Sequence, residues 1–173
     1  MQATYSRLIV WCCTTALIAL PIGALYLLLN LEVLVGLIKN NLNIAIQWQT
    51  VTRAQLHGFW ALTLICALPA WISTYYLRRA FLYFAKGEYF NLANSCSLRL
   101  FAVFIFIQAL ATPVHTMLSS VLLSVNHPGG EKILALSFGS NDLKTIALAF
   151  IFWVISGLLV EANLLEKENQ QFV

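Results

Sequence analysis

Four long apolar runs divide this chain, and the polar residues between them fall in short clusters. The runs cover about residues 8–29, 57–77, 100–125 and 143–160, and none of them contains Asp, Lys, Arg or Glu apart from Lys144 at one edge. A helix needs roughly 18 to 20 apolar residues to cross a hydrocarbon core of about 30 Å, so each run predicts a membrane span. Residues 31–48 differ. Leu31, Leu34, Val35, Ile38, Leu42, Ala45 and Ile46 recur every three or four positions, with Glu32, Lys39, Asn43 and Gln47 mostly on other faces. That is the pattern of an amphipathic helix. It fits one lying in the outer interface or packed on the spans, and equally an outward continuation of the first span.

Punctuation between the runs supports the division. The second span reads as a helix continuing past Arg78 and Arg79 to about Lys86. Gly87 is placed there as a left-handed terminator, and Asn91 as N-cap of the next helix. Pro128, Gly129 and Gly130 end the third span; residues 132–138 then alternate in a β-leaning way, predicting a short extended segment or hairpin. Ser140, Asn141 or Asp142 can cap the last helix, whose polar end 161–171 (EANLLEKENQQ) projects beyond the bilayer. The predicted fold is all-α: one integral membrane domain, 1–173, forming a four-helix bundle with a short extracytoplasmic extended segment before the last helix.

Composition sharpens this picture. The 173 residues are 60% hydrophobic and only 10% charged, with a mean hydropathy of +0.79. Soluble domains carry about a quarter charged residues. The first run is longer than the roughly 7 to 15 residue core of a signal peptide, and no small-x-small site follows before Glu32, so it reads as an uncleaved span.

Charge sets the expected threading. Residues 78–99 (RRAFLYFAKGEYFNLANSCSLR) hold Arg78, Arg79, Lys86 and Arg99 against the single acid Glu88. Short Lys/Arg-rich loops stay in the cytoplasm, which puts both termini inside. Arg7, Arg78, Arg79, Lys86, Arg99 and Lys167 then lie inside, and Lys39, Arg53, Lys132 and Lys144 outside. The net charge of +3 suits an anionic leaflet; nucleic acid would need a denser basic face, so no such partner is expected. Cys12, Cys13, Cys66 and Cys96 show no CxxC spacing and read as unpaired thiols.

The pieces at 77–102 (LRRAFLYFAKGEYFNLANSCSLRLFA) and 158–173 (LLVEANLLEKENQQFV) resemble two regions of the domain of unknown function 2975 family. These are small bacterial inner-membrane proteins with four spans. Gly87, Glu88 and Phe90 match the family's Gly-Glu-x-Phe turn, whereas Asn91 stands at its Ser/Thr cap and Ala93 at its usual Glu. Glu168-Asn169, Phe172-Val173 and Asp142 ahead of the last span also match. The resemblance covers the last hundred or so residues, and the first sixty by layout only. It implies the fold and the inner membrane, assigns no catalytic residue, and points to a regulatory partnership because members often neighbour small helix-turn-helix regulators.

Candidate chemistry is sparse. Gln108 and His115 are the only strongly polar side chains deep in the spans, alongside Ser and Thr. Pumps and voltage sensors keep charged residues at depth despite a cost of roughly 2.5 to 3.5 kcal/mol each. Pro21, Pro69 and Pro113 each sit near mid-span, with Thr112 and Thr14 or Thr15 as candidates to repair the kinks. Together with Gln108 and His115 they outline a pocket in a proline-kinked bundle centre, which gives the alternative function of a carrier, channel or binding protein for a small apolar molecule; the bland alternative is ordinary shaping of the bundle. His57 and His115 suggest a haem or metal only if they face each other. His127 reads as solvated, Arg99 and Glu161 as a structural pair, and Gly23, Ala67, Ala70, Ala109, Ser156 and Gly157 as the small residues where helices meet. Absent HExxH, GxSxG or phosphate-loop motifs, no enzyme activity and no cofactor are expected. The favoured reading is a non-enzymatic regulatory or interaction subunit. It would meet a cytoplasmic or membrane protein, or a second copy, through Arg78, Arg79, Lys86, Glu88, Phe90, Arg99 and the tail.

Overall fold

The computed structural model describes residues 2–41, 46–127 and 132–171. The expected helix break at Pro128 to Gly130 and the closing Phe172-Val173 lie outside them, as do Leu42, Asn43 and Ala45 of the amphipathic pattern. Five α-helices account for most of the chain: α1 (Gln2–Leu29), α2 (Leu31–Asn41), α3 (Arg53–Ala85), α4 (Leu92–Ser124) and α5 (Ser140–Gln171). A short 3₁₀ turn, Trp48–Thr50, precedes α3. Four of the helices, α1, α3, α4 and α5, are long and apolar enough to cross a membrane. At 33 residues, α3 and α4 each measure about 50 Å, well beyond the hydrocarbon thickness of about 30 Å.

Helices are what a bilayer permits, because each backbone N–H and C=O is satisfied within its own segment. The four long helices pack in the order α1, α3, α4, α5, with α3 on α4 as the main contact. What they bury inverts the soluble pattern. Asn94, Ser97, Ser119, Ser120 and Ser124 are among the most deeply buried side chains, while Leu20, Ile22, Leu25, Ile65, Phe150, Val154 and Leu158 are exposed. Without a hydrophobic drive between helices in lipid, small side chains gain by letting backbones approach and by hydrogen-bonding across. Ser95 Oγ donates to Ser156 O at 2.6 Å, joining α4 to α5. Ala109 and Ser156 are buried as expected, whereas Gly23, Ala67 and Gly157 face outward, and a methyl group at either glycine would meet open space.

α2 is a separate helix folded over one end of the bundle. Two backbone bonds span the break at Asn30, whose N–H donates to Tyr26 O and whose carbonyl accepts from Leu34 N–H. Leu34 and Ile38 are buried in a cluster with Ile46, Leu56, Phe59, Trp60 and Leu123. Lys39 Nζ lies 5.2 Å over the Trp48 ring, within cation–π range.

At that same capped end, α3 begins four residues before the expected span. Thr52 is its N-cap and forms a capping box with Gln55. Gln55 Nε2 also donates to Leu122 O at 2.9 Å and Gln55 Oε1 accepts from Asn126 Nδ2 at 3.1 Å, tying the start of α3 to the end of α4. His127 is not solvated: it is buried, and its Nε2 accepts from Gln47 N–H at 3.0 Å. The linker at Gln47 has no ladder partner for that N–H, and the imidazole supplies one.

Residues 132–139 form no strand. Ile133 N–H donates to Ser124 Oγ and Ala135 N–H to Ser120 Oγ, both at 2.9 Å, so the segment lies along α4 with serine hydroxyls standing in for a neighbouring strand. Its alternation survives: Ile133 and Ala135 turn inward, while Leu134, Leu136 and Phe138 are exposed. Asp142 Oδ2 then accepts from Gly139 N–H at 2.8 Å, closing the first turn of α5.

Candidate functional site

The opposite, basic end is built around the reversal from α3 to α4. Gly87 adopts φ +83°, which a Cβ would make costly. Its N–H donates to Phe84 O, and Glu88 N–H to Tyr83 O, the paired bonds of a Schellman termination. Asn91 caps α4, its side chain accepting from Ala93 N–H at 2.9 Å, while its Nδ2 donates to Glu88 Oε2 at 2.8 Å. Two further amides hold the turn from behind. Asn94 Nδ2 donates to Tyr89 O at 3.1 Å, and Asn163 Nδ2, from α5, donates to Phe90 O. The side-chain oxygens of both asparagines are buried and take no hydrogen bond. The turn is thus fixed to α4 and α5, yet Lys86, Glu88, Tyr89 and Phe90 remain exposed.

A cleft of about 580 Å³ opens beside it, lined by Tyr5, Ser6 and Ile9 of α1, Phe81 and Phe84 of α3, Tyr89 and Phe90 of the turn, and Leu159 of α5. Phe81 and Phe84 meet edge-on at 5.5 Å, and Phe84 leans on Tyr89 at 6.0 Å. The cleft arises because α1 packs on α3 while α5 packs on α4, so these two outer helices part at this end.

The cations expected at this end divide into two kinds. Arg78 Nε donates to Thr14 Oγ1 at 2.8 Å, locking α1 to α3. Arg99 stacks over Trp153 of α5 at 4.6 Å and forms no ion pair with Glu161. These two are framework. Arg79 and Lys86 are exposed, as is Arg7 beside the cleft residue Ser6.

The proline-associated residues lie at mid-span. Pro21 has no N–H for Leu17 O, and Trp71 Nε1 of α3 donates to that carbonyl at 3.2 Å. Next to Pro69, Ala70 N–H donates to Gln108 Oε1 of α4 at 3.1 Å. Thr14, Thr15 and Thr112 do not make these repairs; each bonds a carbonyl of its own preceding turn. Gln108 and Pro69 are therefore brought together, while Pro21 meets α3 through Trp71. His115, two turns beyond Gln108 and two residues after Pro113, has its Nε2 2.9 Å from Thr63 Oγ1 and 3.3 Å from Ser119 Oγ. Thr63 gives its own proton to Phe59 O at 2.8 Å, so the imidazole is the donor to it. His57 is exposed in the first turn of α3. Among the described residues no three His, Cys, Asp or Glu side chains converge as metal ligands.

Asn94, Asn163, Gln55 and Trp71 were not marked by the sequence. Only Gln55 carried a readable signal, the Thr-x-x-Gln spacing of a capping box.

With four spanning-capable helices, an apolar exterior and a serine-lined interior, the chain is a multi-pass membrane protein. No family model, curated protein or solved structure matches it. Its likeness to the domain of unknown function 2975 family accordingly rests on the quoted residues alone.

Proposed function

We propose that this protein is a non-enzymatic interaction subunit of a bacterial inner membrane, with both termini and its basic end in the cytoplasm. It docks a protein partner there through the turn at 86–91 and the exposed tail of α5. One observation carries the reading: the turn is braced by a Schellman bond pair, the Asn91 cap and two asparagine amides, yet its own side chains are left uncovered. Bracing of this kind lowers the ordering cost of binding. Arg79, Lys86, Glu88 and Phe90 supply charge and aromatic surface, with Glu166, Lys167 and Glu168 exposed on the adjoining tail.

The test is a photo-crosslinking residue in place of Phe90, read in native membranes with and without the double reversal Arg79→Glu/Lys86→Glu. Arg78 is left intact because it holds α1. A discrete crosslinked partner should fall about ten-fold on reversal, as expected for charges that steer and register an interface. Undiminished crosslinking rejects this reading.

A further inference from the structure

We propose that the cleft at the basic end seats one anionic phospholipid, an acyl chain lying between α1 and α5 and the phosphate held by Arg7 and Lys86. The walls fit a chain: Ile9, Phe81, Phe84 and Leu159 are apolar, and the aromatic rings of Tyr5, Tyr89 and Phe90 stand at the mouth. The volume of about 580 Å³ falls in the roughly 300–1,000 Å³ range of small-ligand sites. α1 packs on α3 and α5 on α4, and the slot lies between these two outer helices. A slot of that kind in a bilayer fills with lipid, the solvent at hand.

The sign of the headgroup follows from the charges around the slot. Arg7 follows the cleft residue Ser6, and Lys86 comes two residues after Phe84; both are exposed. Of the acids near the slot, Glu88 accepts from Asn91 Nδ2 and Glu161 follows the cleft residue Leu159 by two positions, while Arg78 and Arg99 are turned to Thr14 and Trp153. Two exposed cations next in sequence to the walls of an apolar slot complement an amphiphile with an anionic head. Interfacial Lys and Arg are the residues that select such lipids. The seat shares Lys86, Tyr89 and Phe90 with the docking turn, so it is tested on the protein alone, with no partner present.

Delipidated full-length protein in detergent, titrated with phosphatidylglycerol or phosphatidylcholine and read by native mass spectrometry, tests this. One phosphatidylglycerol should be retained with about ten-fold preference over phosphatidylcholine, and Arg7→Gln/Lys86→Gln should erase that preference while leaving chain binding in place. Ile9→Trp, which fills the slot, should lower retention of both lipids. Equal retention of the two lipids by the wild type overturns the proposal, as does a preference that survives in Arg7→Gln/Lys86→Gln. Displacement by free glycerol phosphate also counts against it, since the head alone would then suffice. If Ile9→Trp abolishes the partner crosslink at Phe90 but not lipid retention, the slot belongs to the protein partner instead.

Discussion

At the scale of single residues, the interior is held by side chains that replace what prolines remove. Trp71 supplies the hydrogen bond that Pro21 withholds from Leu17 O, and Gln108 receives the Ala70 N–H beside Pro69. In lipid an orphaned backbone group has no water to turn to, so a Trp donor serves the carbonyl freed by Pro21 and a Gln acceptor serves the N–H beside Pro69. Trp71→Phe should therefore destabilise the protein by about 0.5–2 kcal/mol, the span of interhelical hydrogen bonds in membranes. In a Pro21→Ala background the same change should cost less, because alanine brings its own N–H. A double-mutant cycle of reversible unfolding in mixed micelles measures this, and equal costs in both backgrounds would disconnect the pair. The prolines were plain in the sequence, whereas their partners were not. A Trp or Gln side chain looks the same there whether it faces an unpaired backbone group or a lipid tail.

At the scale of elements, the ends decide more than the middles. Gly87 and Asn91 were readable as stop and start because their chemistry is local: a positive φ on one side, a side-chain acceptor on the other. The start of α3 was not, although Thr52 and Gln55 carry the capping-box spacing. Hydropathy rises only from His57 and drew the boundary too late. Gln55 has a second duty that no local pattern shows, bonding Leu122 O and Asn126 across to α4. Gln55→Leu should lower stability by about 0.5–2 kcal/mol, the cost of losing the capping box and the bonds to Leu122 O and Asn126. Faster amide exchange at Thr52 and Gln55, with α5 unaffected, is the accompanying signature; uniform destabilisation of all helices would contradict a local anchoring role.

At the scale of the whole molecule, a sheath of Leu, Ile, Phe and Trp surrounds a seam of Ser, Asn and Ala. The two ends differ in kind, one capped by α2 and the segment 132–139, the other carrying the braced turn and the cleft. Threading with the basic end inward makes a direct prediction. In intact cells, an impermeant maleimide should label Leu134→Cys in a background where the native cysteines are replaced. Cys96, kept as the only thiol, should react only after permeabilisation; both positions are exposed, so burial does not confuse the readout. The reverse labelling pattern inverts the orientation and removes the proposed docking surface from the cytoplasm.

The sequence by itself determined that lipid surrounds this chain, that four helices are long enough to cross it, and where the helix at Gly87 stops. Run length, missing charge and turn chemistry are local quantities, and they survive without knowledge of the neighbours. Only the tertiary structure decided which residues face each other: Trp71 with Leu17, Gln108 with Ala70, Asn163 with Phe90, contacts 54, 38 and 73 residues apart. A helix apolar on every side carries no period to say which face turns inward. Packing and a few hydrogen bonds set its rotation instead, and that rotation leaves α1 and α5 parted over the aromatic cleft.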